Sequence, residues 1–154
     1  MLRFLTFAAL TAALATSAAQ AQPTDPSQPA GGQTNVLRVA VSGVSSSRGH
    51  VRVDVCGRTE FLSSCRYSGS APAKPGETVV EVKDLPPGIY AVQAYDDRND
   101  NQKVDRNLIG MPTEGVGFSN NAPVPFSGPR FNDAAFTYDG GEQTISLHLR
   151  RFIP

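Results

Sequence analysis

The sequence predicts an all-β protein: a single antiparallel β-sandwich of about seven strands with one long irregular loop. Three observations carry that expectation. Apolar residues from Asn35 onward recur with period two, which places alternate side chains on one buried face. Glycine and proline turns separate the alternating runs at short intervals. No segment repeats its apolar residues with helical spacing.

The strands follow in order. Leu37, Val39 and Val41 form one face, with Arg38 and Ser42 on the other, and Ser45–Gly49 turns the chain. Val51, Val53 and Val55 alternate with Arg52, Asp54 and Cys56 as the second arm of a hairpin. A short strand is expected near Arg66–Ser68, and another over Thr78–Val82 after the Pro75-Gly76 turn. Leu85-Pro86-Pro87-Gly88 is a tight turn, with φ fixed at the prolines and free at Gly88. It feeds a strand over Ile89–Tyr95. Phe131–Tyr138 and Thr144–Phe152 are the last two strands, the latter alternating Ile145, Leu147 and Leu149 against Ser146, His148 and Arg150. Outward positions carry Arg38, Arg52, Asp54, Glu81 and Lys83, which suits a soluble sandwich and not a membrane barrel.

The first segment differs in kind. Met1-Leu2-Arg3, an apolar run from Phe4 to about Ala15, and Ala19-Gln20-Ala21 describe a secretory signal peptide over residues 1–21. Its apolar core is short of the roughly 20 residues a membrane span needs. Residues 22–34 lack both periodicity and large apolar side chains, and are expected to be a flexible leader. Residues 35–154 form the single domain. The expected location is periplasmic or secreted, without membrane insertion. The chain has 14 basic and 14 acidic residues, and loss of Arg3 with the signal peptide leaves 13 against 14. That balance gives no reason to expect nucleic acid as a partner. Cys56 and Cys65 are the only cysteines, and an even pair in an exported chain is expected to form a disulfide.

Chemistry concentrates between Asp96 and Asn121. Four aspartates and three asparagines fall between Asp96 and Asn107. Asp97, Asn99 and Asn101 alternate, Lys103 can offer its carbonyl, and Asp105 completes a set of hard oxygen ligands spaced to wrap a calcium ion. Leu108 stands where an EF-hand has its bidentate glutamate, and no helices flank the loop, so the set matches helix-free extracellular loops of weak affinity, about 10⁻⁴–10⁻³ M. The competing reading is an Asp/Asn turn held by its own side chain-to-backbone bonds, with Arg98, Lys103 and Arg106 balancing the charge. Glu114, Gly115, Gly117, Phe118, Ser119, Asn120 and Asn121 form a candidate recognition loop, read alternatively as a loop packed on the sandwich end by Phe118. Ser119 lacks a Gly-x-Ser-x-Gly setting and so has no motif support as a nucleophile.

Several patterns occur together and in order: Leu85-Pro86-Pro87-Gly88-Ile89-Tyr90-Ala91, Asp97-x-Asn99-x-Asn101-x-Lys103-Val104-Asp105, Gly110 through Asn121, and Phe131-Asn132-Asp133-Ala134. With the signal peptide, they resemble the bacterial secreted family known as domain of unknown function 2141, over about residues 36–150. The resemblance implies an exported immunoglobulin-like or prealbumin-like sandwich and brings no established activity. Two features depart from the family pattern. Gln102 stands where the loop usually has glycine, a position suited to positive φ, and the two cysteines look like an elaboration of this member.

The functional expectation is therefore an exported, non-catalytic binding or structural module with a calcium-ordered loop and an envelope protein or glycan as partner. One rival is an envelope glycan hydrolase with Glu114 as general acid, opposed by a second carboxylate across a cleft. The other is an accessory domain docking on an envelope protein. In the non-catalytic reading Glu114 is expected to be exposed on the loop surface.

Overall fold

The computed structural model describes residues 35–125 and 128–152. The signal peptide and leader expected over residues 1–34 lie outside the described residues. Among those described, no helix is long and apolar enough to cross a membrane.

Among the described residues, eight strands make two packed sheets. They are β1 (Val36–Val44), β2 (His50–Cys56), β3 (Tyr67–Pro72), β4 (Gly76–Lys83), β5 (Gly88–Asp97), β6 (Val116–Phe118), β7 (Phe136–Tyr138) and β8 (Glu142–His148). One sheet has the order β4-β1-β8. The other has the order β3-β2-β5-β6, with β7 pairing to the start of β5. Alternation dictates the layer between them. Leu37, Val39, Val41, Val51, Val53, Val55, Val80, Val82, Val92 and Leu147 turn inward and are at most 1 % exposed. On the outer face of the smaller sheet, Arg38 bridges Glu81 of β4 and Glu142 of β8 at 3.1 and 3.0 Å.

Three expectations need correction. The pairing of β1 with β8 is parallel, whereas the other strand pairs are antiparallel. Period-two patterning fixes which side chains point inward and says nothing of strand direction. With β4 on one edge of β1, β8 takes the edge left over. The strand expected over Phe131–Tyr138 is half helical turn, α1 (Phe131–Ala134), and only β7 pairs. Finally, the stretch read as irregular contains β6. It is only three residues long, and its glycine hides the alternation.

Glycines set the closest contacts between the sheets. A Cβ on Gly69 would stand 2.4 Å from the Glu81 carbonyl oxygen, and one on Gly117 would stand 2.5 Å from that of His148. β6 then exchanges two hydrogen bonds with Arg150, at 3.0 and 2.8 Å, so the chain beyond β8 closes that side of the sandwich. The expected disulfide is present: Cys56, at the end of β2, is bonded to Cys65, with Cα atoms 4.8 Å apart. It pins the loop that carries the chain into β3.

Candidate functional site

β5 ends in two buried aspartates, and the loop that follows is built on the second. Asp97 has no solvent exposure. Its Oδ1 accepts the Asn101 N–H at 3.0 Å, its Oδ2 accepts the Gln102 N–H at 2.9 Å, and the Arg52 guanidinium of β2 donates to Oδ2 as well. This is the side chain-to-backbone capping that Asp and Asn favour in turns. Asp100 and Gln102 take left-handed φ of 57° and 63° to complete the bend. Farther along, Asn101 Oδ1 accepts the Lys103 N–H at 2.9 Å. The amides of Asn99 and Asn101 both donate to Asp105, at 2.8 and 2.7 Å. His50 of β2 ties the outer turn through Asp100 Oδ1 at 2.6 Å.

The five predicted ligands thus share one loop, and three of their side chains converge. Asn99, Asn101 and Asp105 meet at the top, while Asp97 lies beneath and Lys103 contributes its N–H to the turn. Among the described residues no group of three or more His, Cys, Asp or Glu is arranged to hold a metal. Arg52 occupies the position of a counter-charge beside Asp97.

Glu114 reverses its expected placement. It is 5 % exposed, not a surface residue. Its Oε1 accepts the Arg98 N–H at 3.0 Å and its Oε2 the Asp105 N–H at 3.1 Å, so one carboxylate clamps both ends of the loop. Burial pushes its carboxyl above the ordinary glutamate value. The two N–H groups pull the other way, and the nearby Asp105 and Asp97 charges add to the rise.

The rest of the candidate recognition loop is likewise structural in its placement. Gly115, Gly117 and Phe118 are buried in or beside β6, and Phe118 stands edge-on to Phe61 at 5.9 Å. Ser119, 1 % exposed, donates to the Ala134 carbonyl at 2.5 Å and accepts the Val92 N–H at 2.9 Å. Asn120 and Asn121 are exposed and left-handed, at φ 57° and 48°, a conformation asparagine tolerates. Asn120 donates to the Ala135 carbonyl at 2.8 Å, and Asn121 Oδ1 accepts the His148 N–H at 2.8 Å. The alternative of a loop packed by Phe118 describes the geometry.

What the sequence reading missed is a groove of about 850 Å³ on the outer face of the larger sheet. Its floor is Asp54, Gln93 and Tyr95, and one wall is the Asp/Asn loop through Lys103, Arg106 and Met111. Leu62, Phe118, Val124 and Phe152 supply much of its apolar surface. Gln93 donates to Asp54 at 3.2 Å, and burial raises the Asp54 carboxyl above its ordinary value. Burial, with the Asp54 charge next in weight, pushes the Tyr95 hydroxyl up to about 12. The signal available in the sequence was the outward register of Asp54, Gln93 and Tyr95 on neighbouring strands. It read as ordinary surface because the loop that walls them lies elsewhere in the chain.

Comparison with known proteins matches no curated protein and no solved structure. A family model, described as an uncharacterised protein conserved in bacteria, matches residues 39–146. That span holds β2 to β7 whole and most of β1 and β8, with the disulfide, the Asp/Asn loop, the Glu114 clamp and most of the groove. The chain therefore belongs to the bacterial family DUF2141.

Proposed function

We propose that this domain is an exported, non-catalytic binding module, periplasmic or secreted, that receives an envelope protein or glycan in the groove over β2 and β5. The observation that carries this reading is the groove itself. Its volume lies in the range of ligand sites, about 300–1,000 Å³, and it combines an apolar surface with a few convergent polar groups. The loop that walls it is held by Asp97 and Glu114, two buried carboxylates that spend their oxygens on backbone N–H groups. Calcium is a second element of the proposal. It would replace the amide N–H groups on Asp105 and turn the Asn99 and Asn101 oxygens inward, binding weakly because Arg52 already neutralises Asp97.

One observation favours the hydrolase reading, the raised Glu114 carboxyl. Glu114 does not line the groove, however, and both its oxygens are engaged. Binding is the better reading.

The test is a titration of the ¹⁵N-labelled protein with soluble peptidoglycan fragments and a general small-molecule fragment set. Shifts are expected to cluster at Gln93, Tyr95, Lys103 and Met111. Scattered or absent shifts would remove the groove as the site, and release of reducing sugar from peptidoglycan that is lost in Glu114→Gln would make the protein an enzyme. For calcium, a ligand tenfold above its Kd stabilises by about 1.4 kcal/mol. The melting temperature should rise in millimolar calcium relative to chelator, and Asp105→Asn should abolish the rise. Equal melting temperatures in the two buffers count against the cation.

A further inference from the structure

The groove does not end at Tyr95. It shares Asp54, Tyr95 and Gln102 with a smaller, polar recess of about 330 Å³ over β3 and β2. Strand register lays out the floor of the two as a grid. Ser70, Arg52 and Tyr95 stand in one row across β3, β2 and β5, and Ser68, Asp54 and Gln93 stand in the next. Residues two apart on a strand share a face, so both rows point outward together. Several of these groups hold unused bonding capacity. Tyr95 is 8 % exposed, and only burial and neighbouring charges act on its hydroxyl, which no hydrogen bond engages among the described residues. Pushed up to about 12, that hydroxyl keeps its proton and can donate it. Asp54 gives Oδ2 to the Gln93 amide at 3.2 Å and leaves Oδ1 as an acceptor. Ser68 and Ser70 add exposed hydroxyls, each able to donate and to accept.

The chemistry of the recess selects among ligands. Its cation is Arg52, which Asp97 and Asp100 already balance, and Lys103 and Arg106 on the groove wall do not line it. A phosphate or carboxylate therefore finds no free positive charge there. Arg52 also acts on Asp54 through its charge, which disfavours an ammonium group beside that carboxylate. β2 and β5 are each hydrogen-bonded on both sides, so this face has no open strand edge to which a peptide could add. What remains is a set of hydroxyls and one carboxylate oxygen, carried on strands about 4.8 Å apart. Beside them lies the apolar surface of Met111, Phe118 and Phe152. A sugar ring matches both halves, since its hydroxyls donate and accept around the rim while its C–H face is apolar. We propose that the recess and the adjoining groove form a glycan-binding surface. Asp54, Tyr95, Ser68 and Ser70 hold one neutral pyranose ring, and the next ring lies on the apolar part of the groove. This rests on the groove being a binding site, as proposed above, and narrows its ligand from an envelope protein or glycan to a neutral glycan.

Titration of the ¹⁵N-labelled protein with neutral trisaccharides of glucose, mannose, galactose and N-acetylglucosamine tests this, with tri-alanine as the peptide control. At least one trisaccharide is expected to shift the amides of Ser68, Ser70, Gln93 and Tyr95 together, and tri-alanine to leave them in place. Tyr95→Phe and Asp54→Asn keep the size of the side chain, and each should weaken that trisaccharide about 5-fold or more, the effect of one lost hydrogen bond. The melting temperature of Tyr95→Phe should stay that of the parent, which separates a lost ligand bond from a damaged fold. Silence toward all four sugars overturns the proposal, and so does sugar binding indifferent to both variants. Tri-alanine shifting the same amides in place of the sugars overturns it in favour of a peptide. If other small-molecule fragments shift the groove amides while the sugars do not, the groove remains a binding site and only the glycan is lost. If neither does, both readings fall.

Discussion

Glu114 holds Arg98 and Asp105 through their N–H groups, so its loss orphans two donors at once. Glu114→Ala should cost about 2–6 kcal/mol, taking roughly 1–3 for each of the two donors left without its acceptor, and chemical denaturation reads it directly. The carboxyl also carries a pH signature. Its folded value is raised above its ordinary one, so the folded state binds the proton more tightly than the unfolded chain does. The stability this contributes is fully present below the unfolded value of 4.5 and is lost as pH rises through the folded value. Glu114→Gln, which does not titrate, should remove that decline from the stability curve. Gln102 offers the opposite case. Its φ of 63° costs a side-chain-bearing residue roughly 1–2 kcal/mol that glycine avoids, while its N–H bond to Asp97 needs only backbone. Allowing for the greater unfolded-state freedom of glycine, Gln102→Gly should stabilise by about 0.5–1 kcal/mol, visible as a higher melting temperature.

β6 shows how much a three-residue strand can decide. It pairs with β5 at Gln93–Tyr95 and bridges to Arg150, and Gly117 is the residue that lets it approach the chain beyond β8. A methyl group there would meet the His148 carbonyl oxygen at 2.5 Å, so Gly117→Ala must move β6 or β8. The expected cost is about 1–3 kcal/mol, the usual range for overpacking. Hydrogen exchange should show the added opening at Val116 and Arg150 before it appears in the centre of β1 or β2. The same substitution on the half-buried turn glycine Gly141 meets no neighbour, and strain there comes only from its φ of 72°.

The domain depends on its last residues in a way its strand list does not convey. Leu149 is buried against the core, Arg150 exchanges two bonds with Val116, and Arg151 pairs with Asp96, whose carboxylate has no solvent exposure. Truncation before Leu149 removes a core side chain and leaves a buried charge without its cation. Each is a loss of several kcal/mol, together on the order of 5 kcal/mol or more, comparable to the whole stability of an ordinary domain. The truncated protein should therefore fail to show a cooperative melt by circular dichroism. Arg151→Ala alone should retain one, at lower temperature.

Much of this molecule was legible in its residues. Alternation of Val, Leu and Ile fixed which faces are buried, because a strand's side-chain period is two whatever it pairs with. Pro86-Pro87-Gly88 marked a turn, and the Asp97-x-Asn99-x-Asn101 spacing marked a tight Asp/Asn loop, which the residues alone left open between a calcium site and a turn bonded to itself. An even cysteine pair indicated a staple. Direction and neighbourhood were not legible. The parallel pairing of β1 with β8 was decided by which sheet edge stayed free. Glu114 is a clamp and not a surface acid because the fold sets it beneath two N–H groups of a loop that begins sixteen residues earlier. The groove exists because Asp54, Gln93 and Tyr95 face outward beneath segments distant in the chain. Local chemistry sets the conformations a residue can adopt, and only long-range packing decides which groups it meets.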